Sequence, residues 1–312
     1  MQWADRIGRR IKLRDLHVLI AVVQSGSMTK AAQGLAISVP VISKAISDLE
    51  YTLGVRILDR SAQGIEPTPY GHALLESSLA AFDELRQGVK NIEFLADPHA
   101  GEIRIGCPVT MATGFVSVVI ERFSRKYPHI VVHLLAAESA ATYRALEDRK
   151  VDLAIVGMFR PLNDKHLNAE VLFQEPFVIT AGRQSRWAKQ RSVKLAELIN
   201  ECWTLPPSDS LFGSVVVEAF RACGLEVPRA TVITSSVPAR SRLVATGHFL
   251  TALPRSMLRF HPQSASIKLP IDLPTTRRPI GIITLKKRSV SPVAQLFIAC
   301  AREVAKRSTR HA

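Results

Sequence analysis

The residues best placed to do chemistry lie between Ser25 and Ile46. Hydroxyls and cations recur along Ser25-Gly26-Ser27-Met28-Thr29-Lys30-Ala31-Ala32, then Leu35, then Ser38-Val39-Pro40-Val41-Ile42-Ser43-Lys44-Ala45-Ile46. Hydroxyls donate to phosphate oxygens and ammonium groups attract them, so this is the chemistry of nucleic-acid contact. Two short helical patterns stand there, split by a break too short for another element. Ala31 and Ala32 fall where two helices cross at close range. Ser38 is placed to N-cap the second helix, with Pro40 in its first turn. A helix-turn-helix needs this arrangement to set its second helix in a DNA major groove.

Catalytic chemistry has no comparable footing. The chain holds no G-x-S-x-G elbow, P-loop, G-x-G-x-x-G after a strand or H-E-x-x-H, so no enzyme, cofactor or metal site is expected. His129 and His133 flank a strand pattern, while His166, His248 and His261 share no obvious carboxylate. Cys107, Cys202, Cys223 and Cys300 lie far apart, without a C-x-x-C pair or a zinc spacing. They read as reduced thiols packed as small hydrophobes. A thiol-based redox sensor is the alternative, with Cys202 and Cys223 as its pair.

The surrounding elements follow from periodicity. Leu16, Leu19, Ile20 and Val23 form one buried helical stripe that Gly26 ends. Thr29 to Leu35 is a second helix and Val39 to Leu53 a third, with Val41, Ile42, Ala45, Ile46 and Leu49 facing the core and Gly54 stopping it. Residues 55–60 and 64–68 read as two short strands around a turn, a wing. From Tyr70 to Ala96 runs a long helix with Leu75, Phe82, Leu85, Val89, Ile92 and Ala96 at heptad a and d positions and Ser78 the polar one. So narrow a stripe predicts a two-helix seam. Residues 97–101 form a linker. Strands are then expected at 102–106, 130–136, 151–157, 177–181, 230–234, 249–253 and 280–285. Helices are expected at 112–126, 139–149, 211–223 and 238–246. This alternation predicts an α/β region with mostly parallel sheets, split into two lobes.

With 312 residues, 47% hydrophobic and 22% charged, the chain has material for two or three globular units. The basic N-terminus is not followed by an apolar segment with a small-residue cleavage site, and no apolar run is long enough for a bilayer, so a cytoplasmic location is expected. The net charge of +14 is unevenly placed. Residues 1–100 hold 11 Lys+Arg and 11 Asp+Glu, whereas residues 101–312 hold 30 and 16. The whole excess lies outside the helix-turn-helix, where it forms a basic surface or raises the potential around an anionic ligand.

Taken together, Leu13-Arg14-Asp15-Leu16, Ser25-Gly26-Ser27, Ala31-Ala32, residues 38–49, Leu53-Gly54-Val55-Arg56, Arg60 and Thr68-Pro69-Tyr70-Gly71 resemble the LysR-type transcriptional regulators. Gly101-Glu102-Ile103-Arg104-Ile105-Gly106 and Val151-Asp152-Leu153-Ala154-Ile155 look like strands of that family's effector domain. The resemblance implies a winged helix-turn-helix with a linker helix, then a two-lobed α/β periplasmic-binding-protein-like effector domain. It places the DNA-binding domain at 11–69, the dimerising helix at 70–97 and the effector domain at 98–312. Lobe I would comprise about 101–169 plus 270–308, and lobe II about 170–269. Partners it implies are double-stranded promoter DNA, a second copy in a dimer of dimers, a small-molecule effector and RNA polymerase, with no membrane. By position it assigns DNA contact to Thr29, Ser38, Val39, Pro40, Ser43 and Lys44, and to Arg56, Arg60 and Thr68 of the wing region. Two departures matter. Val39 stands where the family often has glutamine, leaving thymine-methyl contact rather than adenine reading. Lys44 stands where arginine is common, which removes bidentate guanine recognition.

In open α/β sheets ligands lie beyond the carboxyl ends of strands. Loops with helix-opening hydroxyls occur at Pro108-Val109-Thr110, at Ser139 and Thr142, at Ser208 and Ser210, and at Ser235-Ser236. Hydroxyls and free N–H groups at helix starts suit an anion, so a carboxylate-bearing metabolite is the expected effector. The competing expectation is that these residues only cap their helices. A solute-binding transport protein would share the lobes but lack the DNA-binding head.

Overall fold

The computed structural model describes residues 10–61, 64–158, 166–260 and 265–309. Contacts divide the chain into two compact units, Met1–Val89 and Lys90–Ala312.

In the first unit, α1 (Leu13–Ser25) ends at Gly26, whose φ of 64° is the left-handed stop that glycine adopts without a Cβ penalty. α2 (Met28–Gly34) and α3 (Val39–Leu53) follow, and Gly54 ends α3 in the same way. The core joins Val18, Leu19 and Val22 to Ala31, Ala32, Ile42, Ala45, Ile46 and Leu49, so the two alanines occupy the close crossing the spacing predicts. Two details differ from expectation. Ser38 holds the N-cap position of α3, but its side chain makes no capping bond; Ser27 instead caps α2, accepting from the Lys30 N–H. Val41 is 37% exposed, on the outer face of α3 rather than in the core. The wing is an antiparallel pair, β1 (Leu58–Ser61) and β2 (Gly64–Pro67).

α4 (Pro69–Ala96) spans the expected long helix. Leu85, Val89 and Ile92 are exposed along its heptad stripe, and Ser78, buried, donates its hydroxyl back to the Leu74 carbonyl at 2.7 Å. The helix carries the boundary between the units within itself. Its last turns belong to the second unit, where Phe94 packs on the lobe I core and Lys90 lies 3.6 Å from buried Asp152.

The second unit has two five-stranded sheets. Lobe I contains β3 (Ala100–Cys107), α5 (Val109–Met111), a π-helical turn (Ala112–Val116), α6 (Ser117–Lys126), β4 (His129–Ala136), α7 (Ser139–Glu147), β5 (Leu153–Gly157) and β6 (Leu167–Glu175). Lobe II contains β7 (Phe177–Gly182), β8 (Trp203–Leu205), α8 (Leu211–Ala222), β9 (Ala230–Ile233), α9 (Val237–Ala245), β10 (Leu250–Pro254), α10 (Arg255–Arg259) and β11 (Ser266–Lys268). The chain returns to lobe I with β12 (Arg278–Leu285) and α11 (Pro292–Thr309). Strand orders are β4-β3-β5-β12-β6 and β11-β7-β10-β8-β9.

These sheets correct the expectation of mostly parallel pairing. β3 pairs parallel with β4 and β5, but β12 runs antiparallel to β5 and β6, and β7 antiparallel to β10 and β11. Strands that enter or leave a lobe have no helical crossover to return them, so they add in the opposite sense. β6 also moves the lobe boundary from about 169 to Pro176, between Glu175 and Phe177. β6, β8, β11 and the closing helix α11 have no counterpart among the expected elements.

Candidate DNA-binding and effector sites

The N-terminal half of α3 presents Ser38, Val39, Pro40, Val41 and Lys44 to solvent, with Ser43 half-buried beside them. Because Ser38 makes no cap bond, its hydroxyl is not committed to the helix. Thr29, on α2, is exposed, as are Arg56 and Arg60 at the wing. Thus eight of the nine expected contacts reach the surface at least in part.

Thr68 is the exception. It is 8% exposed, donates its hydroxyl to the Arg56 carbonyl at 2.8 Å and accepts from the Gly71 N–H at 3.1 Å. Both capacities are spent joining the wing to the start of α4, which corrects its assignment as a DNA contact. Gly71 explains the rest of that segment. A Cβ there would lie 1.9 Å from the Ile57 carbonyl oxygen, so only glycine lets α4 start so close to the wing.

Sequence reasoning missed the residue that fixes the other end of the wing. Glu50 accepts from the Ile57 N–H at 2.9 Å and the Leu58 N–H at 3.4 Å, linking the end of α3 to β1. A carboxylate near a helix C-terminus opposes the helix dipole, and that misplacement was the available signal. A third tether runs from the Ile65 N–H to the Gly26 carbonyl, 3.2 Å. The hairpin has two unlike faces: Asp59 stands directly opposite Glu66, and Arg60 opposite Ile65.

In the second unit, Pro108 and Thr110 line a small cavity of about 10 Å³ where the lobes join, with Gly157, Glu175, Phe177, Phe212 and Arg278 among its walls. Val109, half-buried, starts α5 beside it. The other expected effector residues are not gathered there. Ser139 and Thr142 are buried against lobe I, where the Thr142 methyl would meet a Cβ on Gly106 at 3.0 Å. Ser208 lines a separate lobe II cavity of about 140 Å³. Ser210 caps α8, accepting from the Gly213 N–H at 3.1 Å and donating to the Pro207 carbonyl at 2.6 Å. Ser236 caps α9 through the Ala239 N–H, and Ser235 is exposed beside it. Ser210 thus spends its proton within the turn, whereas Ser236 only accepts.

Glu175 is the important addition at the lobe junction. It is 3% exposed, and its Oε1 accepts from the Ser256 N–H at 3.1 Å. Among the described residues, its Oε2, like the Thr110 hydroxyl, has no hydrogen-bond partner. Burial pushes the carboxyl up to about 7, with Ser256 and Arg255 pulling it partly back. Arg278, opposite Glu175 in the β6–β12 register, reaches Glu218 at 3.0 Å. A Glu-Pro pair between two strand patterns could have flagged this crossover. Elsewhere, burial raises the Cys107 thiol to about 12, and all four cysteines are free. Among the described residues, no group of acids, histidines or cysteines could hold a metal ion, and no helix is long and apolar enough to cross a membrane.

Residues 13–72 match the family model for the bacterial regulatory helix-turn-helix protein, lysR family, and residues 96–306 match the LysR substrate binding domain. The transcriptional dual regulator GltC of Bacillus subtilis (strain 168) is 28% identical over 287 residues, covering 92% of this chain and 95% of GltC. The regulator TdcA of Escherichia coli (strain K12) is 26% identical, covering 94% and 93%. Among solved structures, full-length OxyR from Pseudomonas aeruginosa superposes with a TM-score of 0.65 at 22% identity, covering 95% and 94%. CbnR in complex with its target DNA gives 0.55 at 24%, covering 94% and 99%. With both models matched in order over nearly its whole length, the chain belongs to the LysR family of transcriptional regulators.

Proposed function

We propose that this regulator docks the N-terminal half of α3 in the major groove of promoter DNA and changes that contact when a small molecule enters between the lobes. The outward row of Ser38, Val39, Pro40 and Lys44 carries this reading. Ser38, Ser43 and Thr29 would bond phosphate oxygens, Val39 would pack on a thymine methyl, and Lys44 would add a point charge. Arg56 and Arg60 would reach the flanking backbone. Lys44→Ala is expected to weaken operator binding several-fold and to reduce the salt slope by about one, measured by gel shift over a salt series. Affinity equal to wild type at matched salt would overturn the docking.

Self-association through α4 would pair two heads on an interrupted dyad site, and a dimer of dimers at the promoter would be positioned to contact RNA polymerase. Leu85, Val89 and Ile92, each at least half exposed, support that seam. Val89→Asp is expected to lower the mass found by light scattering to that of a smaller assembly; an unchanged mass would place the seam elsewhere.

The proposed effector is a carboxylate-bearing metabolite. The positive excess of residues 101–312 favours an anion, and the Thr110 hydroxyl and the protonated form of Glu175, which burial favours, can donate to a carboxylate. The cavity between them takes no more than one small group, so entry requires the lobes to part. Gel shifts on promoter DNA with and without small organic acids test this reading; a response to amines or sugars alone would overturn it.

A further inference from the structure

The two faces of the lobe II sheet differ in chemistry. On one, Ile179 of β7, Trp203 of β8 and Ala252 of β10 join Val216 and Phe220 of α8 in an apolar core. Side chains alternate along a strand, so Thr180, Thr204 and Thr251 turn to the opposite face, where α9 packs across β7, β8 and β10. All three threonines have no solvent exposure. Arg240 of α9 shares that layer and is 2% exposed.

β8 and β10 pair at the single position Trp203–Leu250. Toward their carboxyl ends side chains replace the ladder. The Thr251 hydroxyl donates to the Thr204 carbonyl at 2.6 Å, and Arg240 Nη1 donates to the Ala252 carbonyl at 3.4 Å. The Thr180 hydroxyl is spent on the Thr251 carbonyl. Among the described residues, Arg240 Nε and the Thr204 hydroxyl have no hydrogen-bond partner. Burial is the one cause that acts on the guanidinium, pulling it down to about 10, so it is charged at neutral pH and no carboxylate offsets it. A buried cation without a counterion is costly, and folded chains pair such charges. Water in that layer would satisfy the two donors but leave the charge uncompensated. An anion meets both needs.

We propose that lobe II binds a small carboxylate between α9 and the carboxyl ends of β8 and β10, with Arg240 as its counterion and Thr204 as a further donor. Nη1 is turned to Ala252, which leaves the Nε edge of the guanidinium fork, and the two oxygens of a carboxylate fit such an edge side by side. A carboxylate also has lone pairs to spare for the Thr204 hydroxyl. A halide offers neither the paired geometry nor the second oxygen. Helical side chains lean toward the helix start, and α9 starts directly after β9, which runs parallel to β8. The guanidinium therefore leans toward the carboxyl edge of the strands, where α/β sheets take their ligands. Because α9 closes the layer, the ligand is of acetate's size. Neither Arg240 nor Thr204 lines the cavity at the lobe junction, so this site is separate from the one proposed for the effector.

Thermal melts of the full chain in sodium acetate, in sodium chloride at the same ionic strength and in acetamide decide the matter. Saturating acetate is expected to raise the melting temperature of the second unit by about 5 °C over chloride. Acetamide, which has the shape without the charge, is expected to give no gain. Arg240→Met is expected to remove the acetate gain, and Thr204→Val, which keeps the side-chain shape, to remove part of it. The valine variant supplies the comparison if the methionine variant does not fold. Chloride acting as strongly as acetate would make this a general anion site and overturn the carboxylate. An acetate gain untouched by both substitutions would put the carboxylate elsewhere in the chain, and no gain at all would leave Arg240 without a ligand. Either result overturns the site.

Discussion

Gly71→Ala is expected to destabilise the DNA-binding head by about 3 kcal/mol or more and to abolish operator binding. The added Cβ would sit 1.9 Å from the Ile57 carbonyl oxygen and 3.2 Å from the Pro67 Cβ. The first of these is a backbone atom of a residue with no solvent exposure, so no side-chain rotation relieves the clash. Either α4 or the approach to β1 must move. Movement there would break the Thr68 bonds to Arg56 and Gly71 and shift the wing relative to α3. Thr68→Val probes the same joint more gently, leaving the Arg56 carbonyl and Gly71 N–H without that partner at a cost of about 1–3 kcal/mol. Calorimetry of the full chain, combined with gel shifts, reads both effects. A head that melts as wild type and still binds DNA would show that the joint yields without consequence.

The second large effect concerns Glu175 and pH. Its carboxyl ionises near the ordinary 4.5 when the chain is unfolded and near 7 when folded, because burial disfavours the charge. The native state therefore holds the extra proton between those values, and stability falls as pH rises through that window. The full difference corresponds to about 3 kcal/mol at 1.36 kcal/mol per pH unit. Glu175→Gln keeps an acceptor for the Ser256 N–H and removes the titration. The variant should match wild type near pH 4 and exceed it by up to about 3 kcal/mol at pH 8, in urea melts of the second unit. A stability difference that stays flat from pH 4 to pH 8 would show that the carboxyl is not held neutral by its surroundings.

What could be read in the sequence was local and repetitive. Gly26 and Gly54 mark helix ends, Ala31 and Ala32 mark a crossing, and the heptad of α4 marks a stripe, each within a few residues of its cause. Serine roles were harder, because Ser25, Ser27 and Ser38 offer the same hydroxyl in similar settings and only the backbone decides which one caps. β6 was missed because Leu167–Glu175 mixes polar and apolar residues unevenly, as a strand at the outer edge of a sheet can. Glu175 was invisible for a different reason. Its character depends on Ser256, 81 residues away, and on walls contributed by both lobes.

The wing carries a consequence for how the head sits on DNA. Arg60 and the Asp59–Glu66 pair occupy opposite sides of the same two-stranded ribbon. A ribbon turned over would press two carboxylates against phosphates, and the tethers at Glu50, Gly26 and Thr68 leave it little freedom to twist out of that encounter. With Arg60 on the DNA backbone as proposed, repulsion on the other side would reject poses that this attraction alone would tolerate. Neutralising Asp59 and Glu66 should strengthen binding to random duplex more than to the operator, trading discrimination for grip.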